Sequence, residues 1–300
     1  MTKRRVELPE PAAETYESYV EAVRDRLQSE EPLGDVVQEV LVDLHGERER
    51  FERWRSGGTV ATAEAVRLTS LHPDNATLES EWYAEKDEEA FARSKPLQWL
   101  WRQFDRTPLA ANVTFGLAFR QMLAEELFAS AGDDLRIFRG VTMSYGHNLT
   151  VGDNTVIHDG VHLDDRGELV IGDRVSISEG VHVYSHDHDL VDQTTVTNYR
   201  TIIEDDVRLT YDTMVRAGVR VGENAIVGAK SVVQADVPAH HVAVGSPARS
   251  VRIKPGWESV ARDLDADIPG ERADRRLETP IPGDVEIFDE FQRDLEPPDT

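Results

Sequence analysis

The feature that most constrains this chain is a beat of six. From Val151 an aliphatic residue recurs at every sixth position: Val151, Ile157 and Leu163, then Ile171, Ile177 and Val183, then Ile203, Leu209, Val215, Val221, Val227 and Val233. Four places after most of these anchors stands a small or β-branched residue: Thr155, Val161, Val175, Val181, Val207, Thr213, Val219, Ala225, Ser231 and Val237. Glycine often follows the anchor directly, as at Gly152, Gly172, Gly222 and Gly228. A helix repeats every ~3.6 residues and a half-buried strand every second residue, so neither carries this period. A parallel β-helix does: each hexad lays one short flat face, the anchor points into a narrow interior, and small partners fill the space left over. Glycine suits the sharp corners, where φ can turn positive.

The beat halts twice. Asp164-Asp165-Arg166-Gly167 adds two residues between Leu163 and Ile171, and after Val183 the register is lost until Ile203, with YSHDHDLVDQTTVTNYRT looping out. Regular coils are scaffold, whereas insertions gather on one side and carry chemistry. The long loop holds Ser185-His186-Asp187-His188-Asp189.

Before the coils the grammar is helical. Tyr16, Tyr19, Val20, Val23 and Leu27 form one amphipathic stripe; Val37, Val40, Leu41, Leu44, Phe51 and Trp54 form a second that Gly57-Gly58 ends. A less regular stretch holds Trp82, Tyr83, Phe91, Trp99 and Trp101, with breaks expected at Pro96 and Pro108. A further helix carries Phe115, Phe119, Met122, Leu123 and Leu127 on one face and closes at Gly132. The aromatics read as core, because a small helical domain needs large side chains to bury surface.

The balance of charge excludes several functions. Lys+Arg of 33 against Asp+Glu of 57 gives a net charge of −24, which repels nucleic acid and anionic membranes. Only five of the cations are lysines (Lys3, Lys86, Lys95, Lys230 and Lys254). Such a surface repels itself at low ionic strength and is tolerable where salt screens it over roughly 3 Å at about 1 M, as in a salt-accumulating cell. With no cysteine there is no disulfide, thiol nucleophile or cysteine-based zinc site. No window reaches the ~18 apolar residues of a membrane span, and the start, MTKRRVELPEPAAE, lacks a signal peptide's apolar core, so a cytoplasmic place is expected.

Three passages, SYGHNLTVGDN at 144–154, GVHVYSHDHD at 180–189 and VGENAIVGAKSVVQADVPAHHVAVGSPARSVR at 221–252, resemble the hexapeptide-repeat acyltransferases, in particular the maltose and galactoside O-acetyltransferases. The resemblance implies a left-handed β-helix, a homotrimer with active sites between neighbouring copies, and acetyl transfer from acetyl-CoA to a hydroxyl, with no metal. It implies that His188 is the catalytic general base, with His186 beside it as an acceptor contact. A sugar hydroxyl is a poor nucleophile at neutral pH, and an imidazole can take its proton as the oxygen attacks the thioester. By the same match the backbone N–H of Tyr211 steadies the oxyanion, Ala229 and Lys230 line the pantetheine arm, and Arg249 and Arg252 hold the nucleotide end. On the acceptor side the pattern departs. His158 stands where the galactoside enzymes have asparagine, Asp165 matches an acidic contact across the short insertion, and the family's tryptophan and glycine after the loop are Arg208 and Thr210.

Two other functions fit parts of the sequence. A γ-type carbonic anhydrase shares the coil and binds zinc through three histidines, for which His147, His182 and His186 or His188 are candidates. A non-catalytic trimeric scaffold would use the helical half for interactions. O-acylation and N-acylation are not separable from sequence, since an amine also needs a base. The organisation expected is thus an α+β multidomain chain: a helical domain over 1–134 of unassigned role, a left-handed parallel β-helix over 135–253, and an acidic, proline-rich tail over 254–300.

Overall fold

The computed structural model describes residues 6–191, 195–268, 270, 272–279 and 281. The chain divides into two compact units, one of residues 1–77 and 95–126, the other of 78–94 and 127–300. Residues 78–94 lie within the stretch read as helical and cluster with the coils.

The first unit is helical: α1 (Glu10–Leu27), α2 (Leu33–Leu44), α3 (Arg48–Arg55), α4 (Thr62–Thr69), the C-terminal part of α5 (Glu88–Phe104) and α6 (Val113–Leu127). Its core is the apolar stripes, with Val37, Leu41, Leu100, Phe104, Phe119 and Leu123 all at 0% exposure. The second stripe is two helices, because Gly46 at φ +67 turns the chain between α2 and α3. The expected break at Pro96 does not occur: α5 runs through it. A proline inside a helix costs about 3 kcal/mol, which burial of Phe91, Leu97, Leu100, Trp101 and Phe104 on the two sides of it offsets at about 1.5–3 kcal/mol per large apolar side chain.

The second unit is a left-handed β-helix of about 6 turns. Short parallel strands stack into three sheets. A typical coil visits the first sheet at Leu149–Val151, the second at Val156–Ile157 and the third at His162–Leu163. Every anchor from Val151 to Val233 is at most 1% exposed, and their small partners are buried as well. The beat extends further back than Val151, since Ile137 and Met143 are also buried anchors, set off from it by a two-residue excess at Tyr145-Gly146 like that at Asp164–Gly167.

Glycine serves the first corner by closeness, not by φ. A Cβ on Gly152 would meet the Asp173 amide nitrogen at 2.8 Å, and one on Gly172 would meet the Asp205 amide nitrogen at 2.8 Å. Positive φ falls two residues later, at Asn154 (55), Arg174 (54), Asp206 (60) and Asn224 (56). The aspartates beside these glycines form a ladder: Asp133 N–H donates to Asp153 at 2.8 Å, Asp153 N–H to Asp173 at 2.8 Å and Asp173 N–H to Asp205 at 3.0 Å. The stack ends where His241–Gly245 pairs antiparallel with Ala248–Ile253.

Candidate active site

Both interruptions leave the coil at one corner, between the third sheet and the first. Leu163 and Val183 are stacked partners one coil apart, so the short insertion lies against the base of the long one. The long insertion is a hairpin in which the histidine strand, His186–His188, pairs antiparallel with the return strand, Val196–Ile203. His186 lies opposite Asn198, Asp187 opposite Thr197 and His188 opposite Val196. Gly167 is required here, because a Cβ on it would run into the carbonyls of Tyr199 and, at 2.7 Å, Ser185.

Asp164 ties the two insertions together. It is 1% exposed and accepts from the backbone N–H of Ser185 at 3.1 Å and of His186 at 3.3 Å, from the Ser144 hydroxyl at 2.9 Å, and from His186 Nδ1 at 2.5 Å. Burial pushes this carboxyl up, but the His186 ring, the Ser185 N–H and the Ser144 hydroxyl together outweigh it and hold the group below the usual carboxylate range. With its Nδ1–H donating to the Asp164 carboxylate, His186 offers Nε2 as an acceptor to Arg166 Nη1 at 3.2 Å. The Arg166 guanidinium is paired with Glu85 and lies 3.8 Å from the centre of the Tyr83 ring. Its burial brings it down to about 10.

Asp165 is placed differently from an acceptor contact. It is 0% exposed and accepts the N–H of Tyr145 at 2.8 Å and of Asn148 at 3.2 Å, so it holds the two-residue excess of the preceding coil in shape. Burial raises its pKa to about 7.

The other candidates line up along a different corner, between the second and third sheets. The registers Val156↔Ser176, Ser176↔Arg208 and Arg208↔Ile226 put His158, Tyr211 and Ala229-Lys230 on one edge of the prism. His158 stacks on Phe138 at 5.0 Å with Nδ1 3.6 Å from Glu179. The Tyr211 carbonyl accepts from Lys230 N–H at 2.8 Å, while the Tyr211 N–H has no hydrogen-bond partner among the described residues. Lys230 has φ +59. Arg249 lies opposite Val244, which continues this edge, and Arg252 lies opposite Val242. Stacked strands are ~4.8 Å apart, so the edge from His158 to Val244 spans roughly 19 Å. Within one chain, therefore, the histidine hairpin and this edge are at two corners, with the third sheet between them.

Of the imidazoles considered for zinc, His186 uses both nitrogens. His147 and His182 engage Nδ1, with Ser94 Oγ at 3.1 Å and the Tyr184 hydroxyl at 3.3 Å, and His147 Nε2 is buried without a hydrogen-bond partner among the described residues. Among the described residues no group of three or more His, Asp or Glu is arranged to hold a metal, and no helix is long and apolar enough to cross a membrane.

Sequence reasoning passed over Asp164, Arg166 and Glu85. The first two stood in the short insertion, and the signal was available, since Leu163 and Val183 are each the third anchor of a coil. Glu85 had none, being 79 positions from Asp164 in a stretch without periodicity.

Coil, interrupting hairpin and closing strand pair make this unit a left-handed β-helix of hexapeptide repeats. The fold is similar to a maltose O-acetyltransferase from Clostridium difficile (26% identity, TM-score 0.50, covering 60% of this chain and 98% of that one). It is similar also to a hexapeptide-repeat acetyltransferase from Vibrio cholerae (27% identity, TM-score 0.50, covering 59% and 98%). In sequence, 65 residues are 43% identical to the bifunctional protein GlmU of Rubrobacter xylanophilus, and 51 are 47% identical to a 2,3,4,5-tetrahydropyridine-2,6-dicarboxylate N-acetyltransferase of Staphylococcus aureus. Those matches cover 22% and 17% of this chain and only 14% and 21% of the relatives' lengths. No protein-family model matches the chain.

Proposed function

We propose that this protein is an acetyl-CoA-dependent O-acetyltransferase acting on a hydroxyl of a sugar or glycan precursor, as a cytoplasmic homotrimer with each site shared by two copies. The observation that carries the reading is the edge on which the unpartnered Tyr211 N–H, Ala229, Lys230 and Arg249 follow one another. An extended thioester lies along it with its phosphates toward Arg249 and Arg252 and its carbonyl at Tyr211. The histidine corner of a neighbouring copy supplies the base.

His188 is that base. His186 has both ring nitrogens committed, to Asp164 and to Arg166, and so acts to fix the strand that carries His188. The acceptor hydroxyl gives its proton to His188 as its oxygen attacks the thioester carbonyl. The oxyanion rests on the Tyr211 N–H, and collapse expels CoA thiolate, which takes up the proton. The test is release of CoA thiol at high salt across a panel of sugars. His188→Ala is expected to lower kcat by at least about 100-fold with acetyl-CoA binding retained; equal rates in wild type and variant would overturn the assignment.

A further inference from the structure

Part of the tail is built into the histidine corner. Residues 272–279 form a strap: Arg276–Leu277 pairs antiparallel with Tyr199 and Asn198 of the return strand. Two arginines fasten it. Arg275 forms a bidentate pair with Asp236 at 2.7 and 2.8 Å and donates to the Gly218 carbonyl at 2.7 Å. Arg272 donates to the Ala217 carbonyl at 2.5 Å, lies 3.9 Å from the centre of the Tyr199 ring, and reaches Asp187 at 2.7 Å. Asp187 stands between the two histidines and is held also by Arg216 at 2.6 Å.

Strap and return strand border a half-open cavity of about 810 Å³, lined among others by Glu85, Val196, Asn198, Arg276, Leu277 and Thr279. The return strand gives the cavity Val196, Thr197 and Asn198, which stand opposite His188, Asp187 and His186 in the hairpin register. Glu85 joins it to the Asp164–His186–Arg166 chain. Asn198 is 3% exposed; its Nδ2 donates to Thr279 Oγ1 at 3.1 Å, and its Oδ1 has no partner among the described residues. Turning the amide over leaves the orphan at the same place, as a donor instead of an acceptor. A buried polar atom without a partner is destabilising, and a ligand hydroxyl would satisfy it.

We propose that the strap completes the acceptor pocket, with Asn198 as a specificity-determining residue for an uncharged polyhydroxylated acceptor. Arg276 and Glu278 balance each other in the lining and Glu85 is already paired with Arg166, so no charge is left over for an ionic ligand, while Val196 and Leu277 suit the C–H face of a sugar ring. The inference deepens the acetyltransferase reading and rests on it for the word acceptor.

Saccharide binding by saturation-transfer NMR, with maltose, methyl galactoside and N-acetylglucosamine as probes, tests it in Asn198→Leu and in Arg275→Ala, which loosens the strap from outside the cavity. Wild type is expected to bind at least one probe, and both variants to weaken it by about tenfold or more, with acetyl-CoA affinity unchanged. Binding of none by wild type, or equal binding in the variants, overturns the inference. Saccharide binding without acetyl-CoA binding would instead overturn the transferase reading and leave the pocket standing.

Discussion

Asp164→Asn replaces the carboxylate that holds both insertions with an amide that has one acceptor instead of two. Oδ2 alone serves the Ser185 and His186 N–H groups and His186 Nδ1, and Oδ1 serves the Ser144 hydroxyl and the Arg166 N–H. If the amide oxygen takes the place of Oδ2, those bonds survive without their ionic character, Ser144 must turn to accept, and the Arg166 N–H loses its acceptor. A hydrogen bond to a charged group contributes about 1.5–3 kcal/mol; because several end on this carboxylate and the amide keeps some of them, about 3 kcal/mol is expected. For a chain of this size that lowers Tm by about 6–10 °C. A carboxyl whose folded pKa lies below its unfolded value contributes stability that is full above the usual carboxylate range and lost as pH falls through the folded value. The difference between wild type and variant therefore shrinks on acidification. Urea unfolding at high salt, followed by circular dichroism at neutral and acid pH, measures both effects. A loss under about 0.5 kcal/mol, the level of an ordinary surface change, or a difference that grows toward low pH, would refute the role given to Asp164.

Asp165 predicts the opposite slope. Its folded pKa of about 7 is above the unfolded value, so its contribution is full below the usual carboxylate range and fades as pH rises toward 7; Asp165→Asn should flatten the stability profile there, as urea midpoints across that range would reveal. Gly167→Ala forces a Cβ against the Ser185 and Tyr199 carbonyls and should displace the hairpin. It is expected to lower kcat by about tenfold or more with little change in KM for acetyl-CoA, and wild-type kcat would contradict the packing described. The net charge of −24 predicts a Tm that climbs with KCl from about 0.1 to 1 M and levels off as repulsion is screened; a Tm independent of salt would remove the argument.

The coils were readable from sequence because every turn of a stack repeats one packing requirement, so Ile157, Ile177 and Leu209 answer to the same space. Pro96 was misleading because a propensity of a few kcal/mol yields to the burial of Trp101 and Phe104. The strap had no periodic signal at all: Arg272 and Asp187, or Arg275 and Asp236, are 85 and 39 residues apart and meet only after the coil exists. Glu85 and Asn198 belong to the same category, as polar residues whose meaning is set by what folds over them.

The central claim is that the histidine corner of one copy works on the edge of another. His188→Ala and an edge-blocking Ala229→Trp are each expected to be inactive alone. Unfolded together in equal amounts and refolded as mixed oligomers, they should regain about a quarter of wild-type CoA release, since that share of head-to-tail interfaces joins an intact histidine to an intact edge. No recovery in oligomers shown to be mixed would mean that base and thioester meet within one chain, and the account would fail.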